Sequence, residues 1–341
     1  MKVEASMMVQ NPSEAGPLAK NMEDLGFDGV YTFEGQHDPF FPLVVAAEHT
    51  EKIELTTAIA VAFARNPMLL ANTGYDLQLM SKGRFNLGLG SQIRPHIEKR
   101  YSMQWSKPAA RMREMVKAIR AIWQCWNTGE KLDFRGEFYT HTLMTPVFVP
   151  GPNPYGNPKI FIAGIGPLMT EVVGEVGDGF LVHPLNTPEF IKEQALPALQ
   201  KGFDIAGKKR EDFEISCQII IVTGETDEEF ENAKALARNQ IAFYGSTPAY
   251  KPVLDQHDWG DLQPRLNALS KEGEWADMSA LISDEVLETI ALVGTPAEIG
   301  DKVRASRSAL VDRISPVAYT QNSELLKKVA DEIRDGGDSA D

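Results

Sequence analysis

The sequence predicts an α/β protein built as a closed (β/α)8 barrel. Apolar, strand-like runs alternate with amphipathic helical segments, and eight such units can be counted along the chain. The length of 341 residues is usual for such a barrel and long for one sandwich or bundle. An open doubly wound sheet is the structural alternative. It ranks second because no G-x-G-x-x-G follows the first strand.

The units follow in order. "KVEASMMV" (2–9) reads as the first strand, and "PSEAGPLAKNMEDLG" (12–26) as its helix, with Gly26 as a C-terminal stop. "FDGVYTF" (27–33) is the second strand and "PFFPLVVAAEHTE" (39–51) its helix. "IELTTAIAVAF" (53–63) reads as one uninterrupted apolar strand, the kind buried on both faces of a parallel sheet. Its helix, 66–83, has Asn66 in capping position and Pro67 in the first turn. "RFNLGLG" (84–90) is the fourth strand. The helix after it, 107–126, lines up Met112, Met115, Val116, Ile119, Ile122, Trp123 and Trp126 on one stripe. The second half gives strands over 159–166, 179–185, 213–224 and 311–319. Helices are expected over 167–178, 187–207, 226–245 and 322–335. The helix at 226–245 opens with Asp227, Glu228 and Glu229, where the helix dipole favours acids.

Two segments break the rhythm. Residues 130–158 are rich in aromatics, Pro and Gly, and residues 245–290 lengthen the unit before strand eight. Long insertions tend to be functional, and those on the C-terminal face of a barrel build its active site. Phe134, Phe138, Tyr139 and Phe148 of the first insertion point to an apolar or ring-containing substrate, or to packing of a lid. One barrel is therefore expected over 1–325, followed by an acidic tail, 326–341.

Composition narrows the function. Hydrophobic residues make up 43% and charged residues 24%, which supplies a sizeable core. No apolar run is long enough to span a membrane, and "MKVEASMMVQ" lacks the apolar stretch of a signal peptide. Cys125 and Cys217 lie far apart in apolar segments, as free core thiols of a cytoplasmic protein would. A net charge of −14 argues against nucleic-acid binding. Arg94 to Arg120 nevertheless holds eight basic residues against two acids. It reads either as a solvated helix face or as a local anion site.

On a barrel, chemistry sits just beyond the C-terminal ends of the strands. Those positions are Gln10–Asn11, Glu34–Asp38, Phe63–Asn66, Gly90–Gln92, Gly164–Pro167 and His183–Pro184. The six histidines never pair at ligand spacing, so no metal is expected. No G-x-S-x-G elbow is present, and neither cysteine falls in a rim loop. "AGIGP" (163–167), leading into a helix, offers backbone N–H groups to an anion such as a phosphate, although glycine is also usual in strand–helix turns. His37 is an acid, base or donor toward such a ligand, or a packed side chain bonded to Glu34 or Asp38.

"SKGRFNLGLG", preceded by "TAIAVAFARNPMLLANTGYDLQLM", resembles the luciferase-like monooxygenase superfamily at its third and fourth strands. "HDPFFPLVVAAEHTEKIELTTAIAVAFARNPM", "GLGSQIRPHIEKRYSMQWSKPAARMRE", "LDFRGEFYTHTLMTP" and "QIAFYGSTPAYKPVL" resemble its subgroup that uses the deazaflavin coenzyme F420. The likeness covers residues 2 to 320. It implies a luciferase-type TIM barrel with the cofactor ring at the C-terminal mouth. It also implies hydride transfer to or from a small organic substrate. By resemblance, His37 lies near the reactive carbon and Glu34 orients its imidazole. A bulge with a non-prolyl cis peptide, placed at Ala58–Ile59 by counting back from Asn66, supports the ring. Gly90, Ser91 and Gln92 border it, Gly164 and Gly166 receive the phosphate-bearing side chain, and Asp38, Thr57 and His183 complete the cofactor-binding set. The basic island would meet the coenzyme's anionic tail. Relatives that oxidise a sugar phosphate carry a glutamate after strand four, where this chain reads Ser91-Gln92-Ile93, so sugar-phosphate chemistry is not expected. Two alternatives stand beside this reading: an FMN-dependent monooxygenase that consumes oxygen, and a flavin-binding barrel without turnover. Relatives dimerise through helices near strands two and three, and "PFFPLVVAAEHT" is apolar enough to take part in a homodimer.

Overall fold

A computed structural model of the protein describes residues 1–320 and 322–335. Eight parallel strands close on themselves: β1 (Lys2–Ser6), β2 (Gly29–Thr32), β3 (Glu54–Thr57), β4 (Phe85–Gly90), β5 (Lys159–Ala163), β6 (Gly179–Val182), β7 (Glu214–Val222) and β8 (Arg313–Ala318). Each pairs with its successor, and β8 pairs back to β1 through Lys2↔Arg313 and Val3↔Ile314. A closed parallel barrel has no free edge, and its strands are buried on both faces, which explains why they read as apolar runs.

Five helices follow the expected pattern: α1 (Ala15–Asp24), α2 (Phe40–His49), α3 (Pro67–Met80), α4 (Pro108–Thr128) and α5 (Pro167–Val176). Asn66 caps α3 by accepting from the Leu69 N–H. The predicted stripe of α4, Met112 through Trp126, is buried in the main core. Both cysteines are buried and free. Among the described residues no helix is long and apolar enough to cross a membrane, and no group of three or more His, Cys, Asp or Glu gathers as a metal site.

Four expectations need correction. First, the run 53–63 is not one strand. Its Ala58–Ile59 peptide is cis, a two-residue strand, Ala60–Val61, resumes beyond it, and a 3-10 turn occupies Ala62–Ala64. Second, the helix expected over 187–207 is broken. A short helix, Pro188–Phe190, passes through a π-turn, Ile191–Ala195, into α6 (Leu196–Ala206). Pro197 has no N–H to give the preceding turn, so the ladder re-registers there.

Third, α7 (Asp227–Gly245) is not the helix that returns from β7 to β8. A two-residue strand, Leu292–Val293, lies parallel to the end of β7, and α11 (Pro296–Ser306) makes the return. Everything from α7 through α8 (Leu262–Glu272), α9 (Trp275–Ala280) and α10 (Asp284–Ile290) is one mouth-side insertion. It has its own core, which includes Ala237, Ile241, Leu266, Met278 and Leu287, packed on Ile220 and Val222 of β7. Fourth, α12 (Ser323–Asp335) crosses the boundary expected at 325 and buries Leu325, Val329, Ala330 and Ile333. Of the expected tail, only 336–341 lies outside the described residues.

The other insertion, 130–158, does not cover the mouth. A small hairpin, Phe134–Arg135 with Thr140–His141, runs back along α4, where Glu114 accepts from the N–H groups of Glu137, Phe138 and Tyr139. Asn153 and Tyr155 bond to Tyr75 and Gln78 of α3. Phe148 is exposed and lines a surface cleft of about 180 Å³ with Tyr75, Asp76 and Trp126, outside the barrel wall.

The opposite end of the barrel is sealed by charge. Arg313, 1% exposed, donates to Glu4 Oε1 (3.1 Å), to Glu54 Oε2 (2.6 Å) and through Nε to Glu214 Oε2 (2.7 Å). Its second terminal nitrogen also meets Glu214. Ser216 and Ser315 donate to the other Glu4 oxygen, and Lys2 to Glu54. Burial alone would raise the Glu54 carboxyl, but Arg313 and Lys2 hold it down at about 2.

Candidate active site

The loop after β2 and the bulge after β3 are bolted together by Glu34. Its N–H donates to the Ile59 carbonyl (3.1 Å), and its carboxylate accepts from the Val61 N–H (2.7 Å), from Arg65 and from the Tyr101 hydroxyl (2.7 Å). Arg65 also donates to Asp38 (2.7 Å), whose other oxygen takes the Phe40 N–H at the start of α2. Burial, then the bond to Glu34, pushes the Tyr101 phenol up to about 12.

Glu34 therefore does not orient His37. The exposed His37 ring is held instead by the Gln10 carbonyl, 2.9 Å from Nε2. A carbonyl only accepts, so Nε2 carries the hydrogen, and a neutral ring presents Nδ1 as an acceptor. Arg65 and Tyr101 were the residues missed. Their only sequence signal was position: Arg65 falls at the rim beside Asn66, and Tyr101 in the loop after β4.

Gly90 ends β4 against the bulge. A Cβ on it would lie 2.8 Å from the Ile59 side chain, so a larger residue there would push that side chain aside. Ser91 bonds to the Gln92 carbonyl, and Gln92 holds a left-handed φ of 57°, a sparsely populated state that collects at functional sites. Thr57 is fully buried, and its hydroxyl exchanges bonds with the backbone of Gly88, 2.8 and 2.9 Å, within the barrel wall. Gly166 is the N-cap of α5 and supplies no side-chain cap, so N–H groups of the first turn stay available to an anion. Gly164 stands two residues earlier in the same turn.

Across the rim, His183 follows β6. Its Nδ1 accepts from the Leu185 N–H (3.1 Å), which leaves the hydrogen on Nε2. The ring packs against Tyr244 and Tyr250 of the mouth-side insertion, at centroid distances of 4.5 and 4.2 Å. Burial pushes its pKa down to about 3. Each histidine thus has one ring nitrogen held by the backbone, His37 through Nε2 and His183 through Nδ1.

The basic island resolves mostly into ion pairs. Arg94 meets Glu98, Lys107 meets Glu137, Arg113 and Lys117 share Glu175, and Arg120 meets Asp178. Arg100 donates to the Gly35 carbonyl, and Arg111 to Gln104 and Tyr139 while stacking over Phe63. Arg94, Lys107 and Lys117 nevertheless keep more than half of their side chains exposed.

Comparison with known proteins is consistent with this geometry. The profile of the luciferase-like monooxygenase family matches residues 2–313. An uncharacterized protein of Mycobacterium tuberculosis is 52% identical over 322 residues, covering 94% of this chain and 95% of that protein. The 5,10-methylenetetrahydromethanopterin reductase of Archaeoglobus fulgidus is 28% identical over 320 residues, 90% of each chain. An F420-dependent glucose-6-phosphate dehydrogenase of Mycolicibacterium fortuitum is 29% identical over 225 residues, 62% of this chain and 65% of the enzyme. Among solved structures, the coenzyme F420-dependent tetrahydromethanopterin reductase of Methanopyrus kandleri superposes with a TM-score of 0.79 at 18% identity, covering 97% of both chains. The barrel is the one these proteins share, the relatives of assigned activity are oxidoreductases, and this chain belongs to the luciferase-like monooxygenase family as an oxidoreductase enzyme.

Proposed function

We propose that this enzyme transfers a hydride between coenzyme F420 and a small organic substrate at the C-terminal mouth of its barrel. The observation that carries the reading is the exposed His37, held by the Gln10 carbonyl on the loop after β2, in a chain whose relatives include F420-dependent enzymes. The residues fit the cofactor. The uncapped first turn of α5, behind Gly164 and Gly166, suits a phosphate, and Ser91 and Gln92, both partly exposed, follow the point where Gly90 packs on Ile59. A bound deazaflavin would supply a two-electron hydride carrier. His37 Nδ1 would take a proton from the substrate or return it. Glu34, Arg65 and Asp38 would keep the bulge and the His37 loop in register. Glu34 is thus a positioning residue.

The FMN-dependent alternative uses the same barrel, and long-chain alkane monooxygenase shares the fold with a TM-score of 0.70 at 14% identity. Titrating the purified protein with each cofactor, followed by quenching of cofactor fluorescence, separates the readings. Tight FMN binding with no response to the deazaflavin would overturn the proposal. His37→Ala is expected to keep cofactor binding and to lose about a hundredfold or more in hydride transfer. Full activity in that variant removes His37 from the mechanism.

Two further assignments belong to this reading. The two free thiols fit a cytoplasmic enzyme. Phe41 of α2 and Leu69 and Leu79 of α3 expose large apolar side chains on adjacent helices, which fits a homodimer formed there.

A further inference from the structure

Two arginines are almost wholly buried, and their surroundings differ. Arg313, 1% exposed, gathers three carboxylates. Arg307, 2% exposed, is the C-cap residue of α11 and forms no ion pair among the described residues. Its one side-chain hydrogen bond there is long, Nη2 to Asn186 Oδ1 at 3.4 Å, and its buried Nε has no partner. The guanidinium thus makes no bond to the last carbonyls of α11, where the helix dipole would offset part of its charge. Asn186 fixes the geometry. It is 1% exposed, and its amide nitrogen donates to the carbonyls of His183 (2.7 Å) and Gln218 (2.9 Å), so its Oδ1 is turned to Arg307. The Cys217 thiol of β7, fully buried, donates to the same oxygen at 3.6 Å. Neither neighbour supplies a negative charge. Asn186 is neutral, and burial pushes the Cys217 thiol up to about 11, so it stays protonated. Glu189 attracts Arg307 but is exposed and makes no ion pair with it. Burial draws the guanidinium below its ordinary value, yet arginine does not lose its proton in a protein. A charge taken out of water with no partner is strongly unfavourable, so this one calls for a counter-ion.

We propose that Arg307 binds a small monovalent anion of the chloride class at its Nε–H, where α11, β7 and the loop after β6 meet. A water would satisfy the N–H and leave the charge unanswered. One unpaired positive charge asks for one negative charge, and an exposure of 2% admits a single ion but not a metabolite. The site is separate from the hydride-transfer reading and does not depend on it. It reaches the rim only through the Asn186 amide, whose bond to the His183 carbonyl holds the loop after β6. An ion at Arg307 therefore acts as a structural ligand, bound by the folded chain and released on unfolding.

The test follows thermal melting of the whole protein as sodium chloride replaces sodium gluconate at fixed ionic strength. The melting temperature is expected to rise by about 2 °C or more and then to level off, as saturable binding to the folded state requires. Arg307→Met keeps most of the bulk without the charge and is expected to show no such rise. Crystals of the native protein grown in bromide should give an anomalous peak within hydrogen-bond reach of Arg307 Nε, a measurement that decides even where Arg307→Met does not fold. Equal melting temperatures in the two salts, a chloride response that survives in Arg307→Met, or water alone at Nε in the bromide crystals would each overturn the proposal. A bromide peak with no effect on melting would mark an adventitious ion only, and overturn it as well.

Discussion

His183 shows how a single ring is tuned by what it packs against. Enclosed by Tyr244 and Tyr250, it titrates at about 3 when folded, against an ordinary 6.5. Between those values the unfolded chain binds a proton that the folded protein refuses, so stability falls as pH drops from 6.5 toward 3. Glu54 acts in a lower window, because its folded value of about 2 lies below the ordinary 4.5, and its contribution is lost as pH falls through that range. Urea melts of His183→Gln at a series of pH values should therefore show a flatter profile between 6.5 and 4.5. The decline below 4.5 should remain. A profile that keeps its slope above 4.5 would show that His183 does not carry it.

The rim loops act as elements, and α5 is the clearest case. Gly166 sits at its N-cap with φ −72°, and a Cβ there would meet nothing within 4 Å. Gly166→Asp is thus sterically free and adds a side-chain N-cap, worth roughly a few tenths of a kcal/mol over glycine. It also places a carboxylate where a phosphate would rest. We expect the melting temperature to hold or rise while deazaflavin affinity drops by roughly tenfold or more. Unchanged affinity would move the phosphate elsewhere on the rim. Elements of this sort were the most legible part of the sequence. Strand–helix alternation marked all eight barrel strands, since strands buried on both faces must be apolar throughout. The failures occurred where tertiary contacts overrule local pattern. Residues 226–245 have an ordinary helical period, and nothing local says that the helix caps the mouth and does not return to β8. The cis bond came from resemblance and not from periodicity. Glu34 beside His37 suggested a pair, yet the carboxylate turns to Val61, Arg65 and Tyr101, partners that only folding brings near.

At the scale of the whole molecule, one guanidinium joins four strands. Arg313 of β8 gathers Glu4 of β1, Glu54 of β3 and Glu214 of β7, with Ser216 and Ser315 completing the set. Arg313→Met would leave three carboxylates crowded without their shared cation. A loss of about 3–5 kcal/mol in unfolding free energy is expected, together with a shift of the acid-unfolding midpoint to higher pH. The measurement is denaturant unfolding of the variant against the native protein, and a cost under about 1 kcal/mol would show that the cluster is not a structural anchor.

The same cluster has a consequence for tolerance to change. Because β1, β3, β7 and β8 are tied together at the end away from the mouth, the chain that links them can vary in length, as it does between β7 and β8, while the strands keep their register.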